Sequence, residues 1–455
     1  MAETNYEKYS VAVIGAGPAG LFAARALAQQ GVSVLLINRD IKAGGLAEYG
    51  IYPSKLKMKD GLRRQFRQIL ELPNLEYIGN LGIGLDGPIS LAELQNFGFD
   101  ALLVTVGAQG TKWLGLPGEE LQGVYHAKDL VYYYNQLPPF SQHNYAIGKR
   151  IVCVGVGNVM LDIAHWAVRA LKVDEIIAVA RRGPAEVKFT KKEMETVARN
   201  LDLAALDAEI ERTAPIQRSA GQNPEAAKAF ILSALQHAEE PVSQTKFSLQ
   251  FLASPHQILG DEQGRAKALE VEDTTLIARP DGSVNAVGLD TFRNIAGDTV
   301  VFCIGDRVDE SFGLPLDKWG DFAKNPQPRF PVEGLSYEAY NPETDQPIGG
   351  VFLAGWSREA SSGLVGTARK DGDQAARAVL AYLDTVRAKG AEAALAAFNA
   401  KLLLLNQPVV REDDLKKLEA AEAAQAAELN LPEFKYASNE EMLAAMGLLQ
   451  VREKN

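Results

Sequence analysis

Three glycines near the start of the chain have the spacing that a phosphate-binding turn requires. In the segment GAGPAG, Gly15, Gly17 and Gly20 are separated as G-x-G-x-x-G. The first glycine allows a sharp bend, the second lets the backbone approach a pyrophosphate, and the third lets the next helix pack against the strand. The first N–H groups of that helix then face the phosphates with a partial positive charge. The pattern predicts a dinucleotide site that includes Pro18 and Ala19.

A second glycine-rich segment, GVGNVMLD, repeats the pattern with one change. Gly155 and Gly157 match, and Met160 stands where the third glycine would be. The strand that follows ends in Arg181 and Arg182 and carries no carboxylate. A carboxylate there would repel a 2′-phosphate, whereas two guanidinium groups can bind one through paired hydrogen bonds. The second motif therefore predicts a site for NADP(H) rather than NAD(H).

Both motifs stand between an apolar run and a helical pattern. Residues 10–14 indicate a strand, residues 21–30 a helix and residues 32–37 a second strand, and the same order recurs over residues 151–180. Two such units predict two nucleotide-binding folds. The expected fold class is α/β, with two Rossmann-like, three-layer ββα domains, the second inserted in the first, and a helical C-terminal tail. The predicted domains are a discontinuous first domain (1–108 and 320–390), a second domain (109–319) and a helical extension (391–455).

Composition excludes several classes of protein. The chain has 455 residues, 58 acidic and 47 basic, and its formal net charge of −11 argues against a general nucleic-acid or anionic-membrane binder. We find no apolar run long enough to span a bilayer and no signal-peptide or transit-peptide pattern. The five histidines lack metal-ligand spacing, so no metal is expected. The expected location is the cytoplasm.

The two cysteines bear on where electrons would go. Cys153 and Cys303 are 150 positions apart, and each stands in an apolar run, which indicates buried, reduced thiols. Two nucleotide folds suggest a flavin dinucleotide in the first and a nicotinamide in the second, with hydride transfer between them. Disulfide reductases of this design need a redox-active cysteine pair, and we expect none here. The flavin would therefore pass electrons to a group outside the protein.

Two basic segments interrupt the acidic chain. Residues 55–67 hold six basic side chains and one acidic, a net charge of +5, and residues 181–192 have a net charge of +4 that includes Lys188, Lys191 and Lys192. Such patches can steer a small acidic redox protein, a ferredoxin or flavodoxin, to the surface near the flavin. A solvated helix face is the alternative interpretation of the first segment.

Several longer segments together resemble one family, the adrenodoxin reductase-like ferredoxin–NADP reductases of the glutathione reductase superfamily. The resemblance covers roughly residues 8–385. The segments that carry it are GAGPAG, GLAEYGIYP, GVYHAKDLVYYYNQLP, GVGNVMLD, ARRGPAEVKFTKKE, FLASPHQIL and AGWSREASSGLVGT.

This resemblance implies FAD at the first motif and NADP(H) at the second. The FAD contacts it implies, together with those of the first motif, are Gly15, Gly17, Pro18, Ala19, Gly20, Asn38, Gly45, Leu46, Gly107, Gly355, Trp356, Gly363, Leu364 and Val365. Those for NADP(H) are Gly155, Gly157, Asn158, Val159, Arg181, Arg182, Glu193, Trp356 and Gly363. The residues implied for the reaction centre are Lys55, Asp162, Trp356 and Gly363.

Four departures from the family pattern stand out. Lys55 occupies a position where the family often has a histidine, so a Lys55–Asp162 pair is a hypothesis. Glu359 replaces a basic residue beside the expected nicotinamide pocket. Asn38 ends the second strand where a carboxylate is usual, and its carboxamide can bond a ribose hydroxyl. Residues after about 390 are expected to depart from the family, and to dock a partner or a second subunit.

The leading interpretation is an NADPH:ferredoxin oxidoreductase-like flavoenzyme that moves electrons between NADPH and a one-electron acceptor. The alternative is an electron-input subunit of a larger reductase, similar to the small subunit of glutamate synthase, although that branch has an N-terminal cysteine-rich segment and this chain has no cysteine before Cys153. A non-catalytic flavin-binding scaffold and a flavin monooxygenase are weaker alternatives.

Overall fold

The structure, a computed structural model, describes residues 5–449. These residues form two compact units. Unit 1 comprises residues 5–111, 132–142 and 306–449, and unit 2 comprises residues 112–131 and 143–305. The chain of unit 1 is therefore interrupted twice, by the two segments that form unit 2.

Most strands are short and apolar, as buried parallel strands are. In chain order they are β1 (Ser10–Ile14), β2 (Ser33–Ile37), β3 (Leu75–Ile78), β4 (Ala101–Val104), β5 (Gly110–Thr111), β6 (Val124–His126), β7 (Arg150–Val154), β8 (Glu175–Val179), β9 (Lys246–Gln250), β10 (Ala253–Gly260), β11 (Ala266–Ala278), β12 (Val284–Ala296), β13 (Thr299–Phe302), β14 (Asp306–Arg307), β15 (Glu338–Asn341) and β16 (Gln346–Leu353).

The helices range from one turn to five turns. They are α1 (Pro18–Gln29), α2 (Leu46–Tyr49), α3 (Leu56–Leu70), α4 (Leu91–Asn96), α5 (Ala127–Tyr134), α6 (Asn158–Trp166), α7 (Lys191–Met194), α8 (Leu203–Ser219), α9 (Pro224–Leu232), α10 (Val365–Leu383), α11 (Ala391–Leu404), α12 (Glu412–Glu428) and α13 (Asn439–Ala445). Among residues 5–449, none is both long and apolar enough to cross a membrane.

Unit 1 is built on a six-stranded sheet in the order β15-β16-β4-β1-β2-β3. All neighbours are parallel except β15 and β16. One face buries the apolar sides of α1, α3 and α10. The opposite face is covered by α4, α11 and residues 308–322. The carboxyl ends of β1, β4 and β16 therefore meet at one edge, where loops can bind a ligand.

Unit 2 repeats the plan with a five-stranded parallel sheet in the order β6-β13-β7-β8-β9. Its second layer is an antiparallel sheet of β10, β11 and β12, whose apolar side packs on the parallel strands. The expected α/β fold with two parallel-sheet units and a helical C-terminal region is confirmed.

The C-terminal helices are part of unit 1. Phe398 of α11 is fully buried against one face of the six-stranded sheet, in contact with Phe97 and Phe99. Leu418 of α12 and Met442 of α13 are buried in the cluster on the other face. Both faces of the sheet therefore depend on residues after position 390.

Candidate functional site

The first glycine-rich turn connects β1 to α1, and it is tightly enclosed on one side. Gly15 has a φ of +106°, and a Cβ there would lie 2.5 Å from the backbone oxygen of Thr105. A Cβ on Gly20 would lie 1.9 Å from the backbone oxygen of Gly15. Gly17 differs, because within residues 5–449 no heavy atom beyond its chain neighbours and the adjoining helix backbone lies within 4 Å of the position its Cβ would take. The turn thus packs closely against the protein at Gly15 and Gly20 and leaves open space in front of Gly17.

A second pair of glycines packs on this turn. The Gly44 N–H donates to the backbone oxygen of Ala16 at 2.7 Å. A Cβ on Gly45 would lie 3.1 Å from the Cα of Gly17. Leu46 then begins α2, a helix of only four residues. Gly45 and Leu46 are therefore brought beside the first turn.

Asn38 is buried at the end of β2, and its carboxamide is bonded within the protein. Its Oδ1 accepts from the Ala16 N–H at 3.0 Å, and its Nδ2 donates to the backbone oxygens of Asp40 and Lys42 at 2.9 and 3.0 Å. These bonds fix the glycine-rich turn to the loop after β2. Contact of Asn38 with a ribose stays a prediction.

The loop between β16 and α10 lies at the same edge of the sheet. The Trp356 Nε1–H donates to the backbone oxygen of Ser362 at 2.8 Å, which closes the loop on itself. Gly363 has a φ of +75°, and a Cβ there would lie 2.5 Å from the Cβ of Thr367. Ser357 Oγ accepts from the Gly107 N–H at 2.9 Å. The loop is thereby tied to the end of β4.

Asp371 is the residue on α10 that holds the start of this loop. Its carboxylate accepts from the Gly355 N–H at 2.6 Å, from the Arg358 guanidinium at 2.6 Å and from the Tyr337 hydroxyl at 3.2 Å. Arg358 also lies over the Tyr337 ring, 4.9 Å from its centroid, which is within the roughly 6 Å at which cation–π contacts are attractive. Glu359, the neighbouring departure from the family, is exposed.

The second glycine-rich turn has the same construction. Gly155 has a φ of +115°, and a Cβ there would lie 2.4 Å from the backbone oxygen of Cys303. No atom lies within 4 Å of a Cβ on Gly157. Cys303 directly follows β13 as Thr105 directly follows β4. In both units the first glycine therefore abuts a carbonyl at the end of the neighbouring parallel strand.

The cysteines are closer together than their separation in sequence suggests. Cys153 lies on β7, which pairs with β13, and both thiols are buried and free. Burial, together with a hydrogen bond to Cys153, raises the pKa of the Cys303 thiol well above its ordinary value. A thiol in that state is a poor nucleophile. The expectation that no redox-active pair exists stays a prediction, and the expected burial of both thiols agrees with the structure.

The arginine-containing loop after β8 is fixed to the second turn. The Lys188 N–H donates to the backbone oxygen of Val156 at 2.9 Å, and the Thr190 N–H donates to Asn158 Oδ1 at 2.8 Å. Arg181 is exposed and Arg182 half-buried. The Nε of Arg182 is buried and makes no hydrogen bond within the described part of the chain. Unit 2 thus brings its predicted site residues together, including the exposed Val159 and the half-buried Glu193.

The helices at the predicted sites begin without a side-chain cap. Within residues 5–449, α1, α6 and α10 begin after Gly17, Gly157 and Leu364, and none of the three has a side-chain cap on its first N–H groups. Five helices have the usual cap, from Ser90, Thr190, Asp202, Asn223 and Ser438, whereas α2, α3, α11 and α12 also begin without one. Uncapped N–H groups with open space in front of the turn fit a bound phosphate. The residues present therefore fit a dinucleotide in each unit.

Lys55 and Asp162 lie in different units. Lys55 ends a short helical turn, Pro53–Lys55, in unit 1, and Asp162 lies on α6 in unit 2. Their pairing stays a hypothesis. Within residues 5–449, no group of three or more His, Cys, Asp or Glu side chains is placed to hold a metal ion.

The basic segment 55–67 is not one exposed face. Lys57 and Arg64 are exposed, whereas the side chain of Lys59 is 0% exposed. Arg63 pairs with Glu48 at 2.6 Å and Arg67 with Glu419 at 3.4 Å. The net charge counted along the sequence therefore overstates the charge that the surface presents.

Lys59 makes the stability of the protein depend on pH. Its Nζ lies 3.4 Å from Asn135 Oδ1 and 3.8 Å from Glu433, and burial and repulsion from Lys435 lower its pKa to about 7. Glu48 and Arg63 also act on it. Between pH 7 and the ordinary lysine pKa, the unfolded chain holds one more proton than the folded chain. The free energy of unfolding then rises by about 1.4 kcal/mol per pH unit from this group.

We expect Lys59→Met to remove this contribution. Thermal unfolding between pH 6 and pH 9 would then show a smaller rise in the midpoint than the wild type shows, because the substituted side chain does not titrate. Lys57→Met is the matched control, since Lys57 is exposed on the same helix. An unchanged pH dependence in Lys59→Met would contradict the lowered pKa.

Sequence reasoning missed Thr105, Asp371 and Glu48. Thr105 Oγ1 donates to the backbone oxygen of Gly15 at 2.7 Å and so closes the first turn. The one signal in the sequence that could have identified Thr105 is that it is a polar residue directly after an apolar strand. Asp371 and Glu48 lie on helices, and no spacing pattern connects them to the glycines they support.

Comparison with known proteins finds matches that include residues of both units. A family model described as pyridine nucleotide-disulphide oxidoreductase matches residues 9–204. The mitochondrial NADPH:adrenodoxin oxidoreductase of Arabidopsis thaliana is 25% identical over 96% of this chain and 95% of its own. NADPH-ferredoxin reductase FprA of Mycobacterium leprae is 27% identical over 80% of this chain and 81% of its own.

A solved structure is similar over nearly the whole chain. Mycobacterium tuberculosis FprA in complex with NADPH superposes with a TM-score of 0.78 at 25% identity, covering 96% of this chain and 99% of that one. A match of this extent includes most of residues 391–455. The expectation that residues after about 390 do not follow the family's sequence pattern stays a prediction.

Proposed function

Because the chain is a homologue of the adrenodoxin reductase-type ferredoxin–NADP reductases, we propose that it is an FAD enzyme that moves electrons between NADPH and a ferredoxin-like iron–sulfur protein. The observation that carries the proposal is the pair of open glycine-rich turns, at Gly17 and Gly157, each ahead of an uncapped helix. FAD would supply the ability to take two electrons as a hydride and to release them singly.

In unit 1 the residues of the chain would bind and orient FAD. The N–H groups at the start of α1 would bind its pyrophosphate, since no side chain among residues 5–449 caps them. The segment from Gly44 to Leu46 and the closed loop at Trp356 lie at the same edge of the sheet and would position the flavin ring. The uncapped start of α10 would favour negative charge on that ring.

In unit 2 the residues would bind NADPH. Asn158 and Val159 begin α6, and the exposed N-terminus of this helix suits the nucleotide pyrophosphate. Arg181 and Arg182 would pair with the 2′-phosphate, and the unbonded Nε of Arg182 supports this assignment. Glu193 lies in the first turn of α7 beside the same loop.

We propose that unit 1 is the FAD domain and unit 2 the NADP domain. This keeps the predicted order of domains, with a discontinuous first domain around the second. The helical extension 391–455 is supported as part of the FAD domain rather than a separate one, because α11, α12 and α13 bury apolar residues on its sheet.

The proposed acceptor is a small acidic redox protein that docks at the basic segment 55–67. Lys57 and Arg64 are the exposed cations that support this surface, whereas Lys59 is buried. Docking of a second subunit through the C-terminal helices also stays a proposal, supported by the exposed Leu403 and Leu404. A cytoplasmic location stays a proposal, and one relative is named as a mitochondrial protein.

Anaerobic reduction tests the proposed function. We expect the purified protein to be yellow and its visible flavin absorbance to bleach when NADPH is added without oxygen. Ferredoxins and flavodoxins from the same organism would then be screened as acceptors, and at least one should be reduced in an NADPH-dependent way. A colourless protein that cannot be reconstituted with FAD would contradict the proposal, and a stable larger complex in native lysate would favour the electron-input subunit instead.

A further inference from the structure

A buried group of charged residues connects the C-terminal segment to the turn that packs on the first dinucleotide site. We call it the Glu48 cluster. Its members are the basic residues Lys42, Lys59, Arg63 and Lys435 and the acidic residues Glu48, Glu422 and Glu433. Side chains of this kind are costly to bury unless each charge is paired, so the cluster has to be held in one arrangement.

Glu48 is the centre of the cluster. Its side chain is 3% exposed, and it accepts two hydrogen bonds from Arg63, at 2.6 and 2.7 Å. Lys435 contacts it at 2.7 Å and Lys42 at 3.8 Å. Burial opposes ionisation, but Lys42, Lys435 and Arg63 together hold the pKa of this carboxyl well below its ordinary value. Glu48 is therefore a fixed buried anion.

Lys435 makes three contacts to this region besides its ion pair with Glu48. Its Nζ also donates to the backbone oxygens of Glu48 and Asn135, at 3.2 and 3.4 Å, and lies 4.8 Å from the centre of the Tyr49 ring. Its side chain is only 6% exposed. The segment around it is anchored as well, since Ser141 Oγ donates to the backbone oxygen of Ala437.

The helix α2, whose residue Glu48 pairs with Lys435, is too short to be stable without contacts to the rest of the protein. The helix α2 has four residues and follows two glycines, Gly44 and Gly45, that both have positive φ. Glycine pairs of this kind are conformationally free until neighbouring contacts fix them. Gly45 lies against Gly17, so the position of α2 bears directly on the turn of the first dinucleotide site.

We infer that Lys435 is a positioning residue for the first dinucleotide site, and that the C-terminal segment Leu431–Ser438 belongs to that site although it is distant from it in sequence. Lys435 fixes Glu48, Glu48 fixes α2, and α2 holds the Gly44–Gly45 turn against Gly17. The inference rests on the proposed assignment of this site to FAD.

Binding of FAD to purified variants tests the inference. Lys435→Met is expected to raise the Kd for FAD by about tenfold or more, the usual effect of losing a hydrogen-bonded charge pair. The visible circular dichroism of bound flavin should change too, because the ring would lie differently. Lys435→Arg should recover most of the affinity. Lys417→Met is the matched control, since Lys417 is in the same extension and forms an exposed pair with Asp414.

Three outcomes are decisive. If Lys435→Met lowers the unfolding temperature of the apoprotein but leaves the FAD Kd and the dichroism unchanged, the residue is merely structural and the inference is overturned. If Lys435→Met does not fold, Lys435→Gln provides the same test, and Lys435→Gln with Glu48→Gln should bind FAD as Glu48→Gln alone does. A wild-type protein that fails to bind FAD overturns the proposed function and the inference together, whereas a normal wild type with unaffected Lys435 variants overturns the inference alone.

Discussion

Replacing Gly17 by leucine should abolish FAD binding and leave the protein folded. Gly17 has a φ of −74° and a ψ of 178°, which any residue adopts, and no atom lies within 4 Å of its expected Cβ. The leucine side chain would fill the space in front of α1 and block the approach of a pyrophosphate to the first N–H groups. We expect the Kd for FAD to rise at least about 1000-fold, which corresponds to about 4 kcal/mol.

Flavin content after purification and titration of the apoprotein with FAD would measure this loss. Thermal unfolding would show whether the fold is retained. Gly157→Leu is the matched control in the other unit, and it should keep FAD and lose NADPH binding. Gly20→Ala is the contrasting variant, because its Cβ would lie 1.9 Å from the backbone oxygen of Gly15 and the fold itself should suffer. Wild-type FAD affinity in Gly17→Leu would show that this turn is not the flavin site.

The second large effect is expected from Arg181→Ala combined with Arg182→Ala. NADPH differs from NADH by one phosphate, and the two arginines lie on the loop that is hydrogen-bonded to the second turn. Hydrogen bonds to charged groups contribute about 1.5–3 kcal/mol each. Loss of two should lower kcat/KM for NADPH by roughly 100-fold to 10,000-fold.

Steady-state rates with NADPH and with NADH, using ferricyanide as the acceptor, would separate a loss of 2′-phosphate recognition from a general loss of activity. The value of kcat/KM for NADH should stay almost unchanged, since NADH has no 2′-phosphate to lose. Arg199→Ala is the control, because Arg199 is an exposed arginine of the same unit that pairs with Glu240. Equal losses for both nucleotides would mean that the arginines support the fold rather than recognise the phosphate.

The glycine-rich turns were predictable because their geometry is local. A turn that needs positive φ and close approach of backbone atoms requires glycine at fixed spacing, and neighbouring residues determine both conditions. The same holds for the strands beside them, which are short apolar runs. The two nucleotide-binding folds and the place of Arg181 and Arg182 after β8 follow from such patterns.

The basic segment 55–67 shows where a count of charges fails. Helical spacing puts Lys59 and Arg63 on one face of α3, yet the sequence does not state what that face contacts. The structure places Glu433 of the C-terminal region against both. Two of the six basic side chains of the expected docking surface thereby pair with a carboxylate more than 350 positions away.

Two glycine-rich turns, the paired arginines after β8 and the α/β plan were predictable from the sequence, because each depends on residues within one strand, turn and helix. The distant residues that complete these turns could be identified only from the folded protein. Cys303 abuts Gly155, Thr105 abuts Gly15, and Lys435 holds the helix beside Gly17. Such contacts join segments separated by tens to hundreds of residues, and they form only when parallel strands align and the C-terminal helices close over the sheet.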